Sequence, residues 1–168
     1  VGVGAVIFHD LFNQRIKNVE FDWEDVLSFE GTTGPYVQYT YARAKSILRK
    51  SGFAFYGNEK LNGVTAGKPE DAQKVNCNYL TDDAAYALVK TLSGYETAVQ
   101  GAAERYEPSV VARYIISVAS AFNKFYHECP ILAAGEEEKQ ARLALVDAVQ
   151  KVLIDACALL GMECPEEM

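Results

Sequence analysis

Three residues on one stretch of the chain have the types and spacing for chemistry with a nucleic acid. Tyr36, Tyr39 and Arg43 stand at i, i+3 and i+7, which places them on one face of a helix. Tyr41, Lys45 and Arg49 fall on neighbouring faces. From Gly34 to Ser51 the cations are Arg43, Lys45, Arg49 and Lys50, with no acid among them. Aromatic rings interleaved with cations suit single-stranded RNA, because bases stack on rings or guanidinium planes while cations meet phosphates. The same residues also fit a simpler arrangement, half-buried core tyrosines beside a solvated basic face, and taken alone they leave both open.

Two further positions stand out. Tyr126 lies one step beyond an apolar Val118–Phe122–Phe125 stripe, beside Lys124 and His127. Met168 ends a short and mostly polar tail that reads either as a contact or as a frayed end. Catalytic signals are absent: no glycine-rich phosphate loop follows a strand, and no nucleophile sits beside a plausible base. The pair Gly2 and Gly4 does not make such a loop. Cys77, Cys129, Cys157 and Cys164 are unevenly spaced, and His9 and His127 are far apart, so neither a zinc site nor a disulfide framework is expected. Reduced thiols in a cytosolic helical protein are the expectation.

These residues need helices to position them, and the pattern supplies them. Residues 2–13 are apolar over a helix length, residues 16–21 alternate as a short extended piece would, and Asp22 can cap a short helix running to Phe29 before Gly31. Pro35 suits the first turn of a helix reaching about Lys50, with Gly52 as its stop. Residues 53–78 read as a connecting segment. Thr81-Asp82-Asp83 opens the next helix, Gly94 breaks it, and Glu96 to Tyr106 forms another. A long helix begins at Pro108 and stops at Pro130, and the last runs from Glu136 to Leu160 with Leu143, Val146, Val149, Leu153, Ala156 and Leu160 on its apolar stripe. Helices with short connections predict an all-α antiparallel bundle.

At 168 residues the chain is long enough for one domain with a proper core. No apolar run approaches the roughly 20 residues needed to cross a bilayer, so no membrane is implied, and the first residues do not read as a signal peptide. The chain lacks an initiator Met and reads as a piece of a longer protein. A net charge of −7 argues against a generic nucleic-acid binder, but the acids cluster at 20–30, 136–138 and 166–167, leaving the segment 34–51 basic.

The run Phe21-Asp22-Trp23-Glu24, Phe29-Glu30-Gly31, Gly34-Pro35-Tyr36-Val37-Gln38-Tyr39 and Ala42-Arg43 resembles the arginyl-tRNA synthetase family just downstream of its catalytic signatures. Glu107-Pro108-Ser109, Phe122-Asn123-Lys124-Phe125-Tyr126, Ala141-Arg142-Leu143-Ala144-Leu145 and the ending from Leu159 to Met168 resemble that family's DALR-type anticodon-binding domain, a helical domain of class I aminoacyl-tRNA synthetases. The matches keep their order and cover the chain except for residues 53–78. The resemblance implies that residues 1–31 trail the catalytic domain and that residues 32–168 are the anticodon-binding domain. It implies arginine tRNA and the catalytic domain of the same chain as partners, and a cytoplasmic location. The family's RNA-facing positions fall on Tyr39, Arg43, Arg49, Tyr126 and Met168. The family's tail often carries a basic residue before the final Met, where this chain has Glu167. The ATP-binding and arginine-binding motifs of the full-length enzyme lie upstream, so this chain is expected to hold no cofactor and to catalyse nothing by itself. A rival from another class is a helical module whose tyrosine-rich face binds a protein. Without the catalytic domain, the segment 1–31 is expected to be poorly anchored, with Val6, Phe8 and Phe12 partly exposed.

Overall fold

A computed structural model describes residues 1–14, 16, 18–52 and 75–168. Among these residues there are seven α-helices and no strand: α1 (Gly2–Phe12), α2 (Trp23–Val26), α3 (Gly34–Ser51), α4 (Asp83–Leu92), α5 (Tyr95–Arg105), α6 (Ser109–Glu128) and α7 (Glu136–Leu159). Among the described residues a 3₁₀ turn, Cys77–Tyr79, overlaps the end of the expected connecting segment; residues 53–74 of that segment lie outside the described residues.

Local chemistry sets the ends of α3. The Thr33 side chain accepts the Tyr36 N–H, Pro35 occupies the first turn, and Gly52 closes the helix at φ 65°, a conformation that only glycine adopts without strain. Helix α3 packs on α7, while α4 and α5 pack on α6. Between them lies a hydrophobic core: Val37 and Tyr41 from α3, Leu88 from α4, Ile115, Phe122 and Phe125 from α6, and Val146, Val149 and Leu153 from α7. Tyr114 hydroxyl donates to the carbonyls of Thr91 and Leu92 (3.0 and 3.2 Å), tying α6 to the end of α4.

Residues 16 and 18–21 join no sheet, and Ile16, Val19 and Phe21 are all exposed. Two expectations are corrected. The short helix ends at Val26 rather than Phe29, although Asp22 does cap it through the Glu24 N–H (2.7 Å). The first helix is anchored: Phe8 is 1% exposed, Val6 and Phe12 are half-buried, and α1 packs against α3 and α6. The cause lies in two glycines. A Cβ on Gly34 would sit 2.8 Å from the Gly4 carbonyl oxygen and 2.9 Å from Phe8 Cβ, so α1 and α3 approach closely only without it.

Tyr41 is core, not interface. It is fully buried and its hydroxyl finds no hydrogen-bond partner among the described residues. Burial, with the Cys164 thiol and Glu166 carboxyl nearby, pushes the phenol up from 10.0 to about 12. Burial likewise pushes Tyr114 up to about 12. A raised pKa means that the fold favours the neutral phenol, so this stability is fully present below pH 10 and is lost as pH rises through 12. Thermal stability followed by circular dichroism is expected to fall above about pH 9 to 10, where the raised thiols of Cys129 and Cys157 add to these two phenols. Tyr41→Phe is expected to blunt that fall and to add roughly 1 kcal/mol at neutral pH by removing an unpaired hydroxyl.

Candidate nucleic-acid interface

Helices α3 and α6 and the tail after α7 converge on one groove of about 510 Å³. Tyr39, Arg43, Arg49, Tyr126 and Met168 all line it, with Lys50, Glu166 and Glu167. The five candidates read from the sequence are therefore brought together, from three parts of the chain.

Each arrives for a local reason. Tyr39 and Arg43 are one turn apart on α3, and Arg49 follows in its last turns. Tyr126 is 40% exposed although Phe122 and Phe125 on the same helix are fully buried, so it sits at the rim of the core stripe. The tail is drawn back over α3 by two anchors. Met162 is buried, and the buried Gln38 donates its amide to the Glu163 carbonyl (2.7 Å). Gly4 leaves room for that amide, since a Cβ there would lie 2.5 Å from it. Tail placement thus depends on α1.

Arg43 is the centre of the groove. Its guanidinium carbon lies 4.7 Å from the Tyr39 ring centroid and 5.0 Å from that of Tyr126, within cation–π range of both. It donates to Asn123 Oδ1 (2.6 Å) and to the Tyr39 hydroxyl (3.1 Å). The Tyr126 ring thus meets the Arg43 guanidinium and also stacks on Phe122 (6.4 Å between centroids). Phe29 meets Tyr39 edge-on (6.2 Å between centroids), and His127 meets Tyr126 (5.7 Å). Two cations are held by the chain's own acids: Lys45 pairs with Glu166 (3.4 Å) and Arg49 with Glu167.

Sequence reasoning missed Asn123, Phe29 and Glu166, and marked Glu167 only as a departure from the family's tail. Asn123 had a usable signal, because it stands three residues before Tyr126 and so shares its helix face. Phe29 and the glutamates had none, since their contacts depend on how α2 and the tail fold back.

Planar rings around a fixed guanidinium, with cations at one end, can stack an unpaired base and meet phosphate oxygens. No group of three or more histidine, cysteine, aspartate or glutamate residues able to hold a metal occurs among the described residues. No helix among them is long and apolar enough to cross a membrane.

An all-helical domain with such a groove is matched by the family model of the DALR anticodon binding domain over residues 37–168, and the chain belongs to that family. Its relatives are more particular. The chain is 44% identical to the arginine–tRNA ligase of Alkaliphilus metalliredigens and 48% identical to that of Pediococcus pentosaceus, over all of this chain and 27% and 26% of theirs. The solved arginyl-tRNA synthetase of Thermus thermophilus has the same fold, with a TM-score of 0.78 and 36% identity over 99% of this chain and 26% of that one. The chain thus spans about a quarter of the length of these relatives.

Proposed function

We propose that the chain grips the anticodon stem and loop of arginine tRNA as the C-terminal part of an arginine–tRNA ligase. The observation that carries this reading is the single groove in which Tyr39, Arg43, Arg49, Tyr126 and Met168 meet. Tyrosine faces take unpaired bases, Arg43 supplies edge donors, and Arg49 meets phosphate. ATP and arginine are handled by the catalytic domain of the longer protein, in the cytoplasm, and this chain carries neither site. Residues 1–31 are the trailing segment of that catalytic domain and 32–168 the anticodon-binding domain. The exposed Ile16, Phe21 and Trp23 face the catalytic part.

The test is a titration of a labelled anticodon stem-loop at increasing salt. RNA held through phosphates loses affinity steeply as salt rises. A face built for a protein partner would bind the stem-loop weakly and show little salt dependence.

The glutamate pairs bear on the same titration. Glu166 and Glu167 occupy Lys45 and Arg49; the Arg49–Glu167 pair is exposed to solvent, whereas the Lys45–Glu166 pair is half-buried. An exposed pair contributes a few tenths to about 1 kcal/mol, so phosphate can displace Glu167 from Arg49. Replacing both acids together (E166Q/E167Q) is expected to tighten stem-loop binding by roughly fivefold. Unchanged affinity would mean that the tail acids do not compete with RNA.

A further inference from the structure

We propose that Asn123 is a positioning residue that holds the Arg43 guanidinium in its reading orientation before any RNA arrives; the proposal rests on the groove being an RNA site. The hydrogen-bond network fixes which way the amide points. Thr40 Oγ1 donates its only proton to the Tyr36 carbonyl (2.8 Å), so toward Asn123 it can only accept. Asn123 Nδ2 donates to that oxygen (3.1 Å) and to the Tyr36 hydroxyl (3.0 Å). The amide nitrogen is thereby committed to α3 at positions 36 and 40. Its Oδ1 is left to accept from Arg43 Nη1 (2.6 Å), one helical turn further on. A single α6 side chain is thus keyed to three residues of α3.

The consequence is preorganisation. An arginine on an exposed helix face explores many rotamers, and ordering it on binding weakens affinity. Here Asn123 and the Tyr39 hydroxyl hold two of the guanidinium donors, and the Tyr39 and Tyr126 rings flank its carbon. The remaining N–H groups are presented as a rigid fork, the form in which arginine recognises base edges and phosphates.

The test has two arms. In the free 168-residue chain, nitrogen-15 NMR is expected to show resolved, slowly rotating Arg43 Nη–H signals, and N123L is expected to collapse them. Persistence of those signals in N123L, or their absence from the parent, overturns the proposal whether or not RNA binds. In stem-loop titrations N123L is expected to weaken binding by about tenfold. In an R43A background the same substitution should add nothing, because Asn123 acts through Arg43. Parent-like binding by N123L, or full additivity with R43A, would overturn it. N123A removes the amide without added bulk if N123L folds poorly, and parent-like affinity for it would count against the proposal equally. Failure of the parent chain to bind any stem-loop would instead overturn the RNA reading, leaving the NMR arm to decide the role of Asn123.

Discussion

Arg43→Ala is expected to weaken binding of the arginine-tRNA stem-loop by roughly 2–3 kcal/mol, or about thirtyfold to more than a hundredfold. The estimate sits at the upper end for one contact because Arg43 does several things at once. It lies over two tyrosine rings and is hydrogen-bonded to Asn123 and Tyr39. Removing it takes away a donor set and also the cation that spaces the two rings. The fold is expected to persist, since the core beneath is formed by Tyr41, Phe122 and Phe125 rather than by Arg43. Arg43→Lys is a useful companion. It retains the charge but not the planar fork, so binding should recover only in part. Parent-like binding by the alanine variant would reduce Arg43 to a solvated cation.

Arg142→Met is expected to cost about 3 kcal/mol of unfolding free energy with no direct effect on the groove. Arg142 is 3% exposed and joins three parts of the chain. It pairs with Asp82 at the start of α4 (2.8 Å) and Glu138 on its own helix (2.6 Å), and it donates to the Pro130 carbonyl after α6 (2.8 Å). Methionine fills the space but leaves two carboxylates without their cation and a carbonyl without its donor. Removing one partner of a buried ion pair typically costs about 3–5 kcal/mol, and the low end applies because both acids still touch water. The effect should depend on pH. The hydrogen bond from Arg142 lowers the Asp82 pKa below its ordinary 3.8. A lowered carboxylate pKa gives stability that is present above the unfolded value and is lost as pH falls through the folded one. The gap between parent and variant in urea unfolding should therefore be full at pH 7 and shrink below about pH 4. A gap that stays constant on acidification would contradict this account of Asp82.

The helices that carry the site were legible because their signals are local. Pro35 and Gly52 bound α3, and Tyr39 and Arg43 announce their shared face by spacing alone. The apolar stripes of α6 and α7 were equally plain, down to Tyr126 at the rim. What was hidden depends on contacts across the fold. Asp82 begins α4 as expected, yet its carboxylate goes to Arg142, sixty residues away, rather than to the helix N–H groups. Gly4 and Gly34 look like weak points in helices; only their mutual approach shows that they admit α1 to the core and bury Phe8. Tyr41 sits among cations in sequence but faces the opposite way from Arg43, so charge neighbours misplace it. The resemblance put Met168 beside Arg49 and marked Glu167, but the ion pairs of the tail acids with Lys45 and Arg49 had no local signal.

The most direct measurement of the central claim is a paired titration of the chain with arginine tRNA and with a tRNA of different anticodon, at one fixed salt concentration. Nonspecific phosphate contact would bind both alike, whereas base edges read by the groove should separate them. The account predicts tighter binding of arginine tRNA by at least about tenfold, with the preference abolished in the Arg43→Ala variant. Equal affinity for the two tRNAs, or a preference that survives the loss of Arg43, would contradict it.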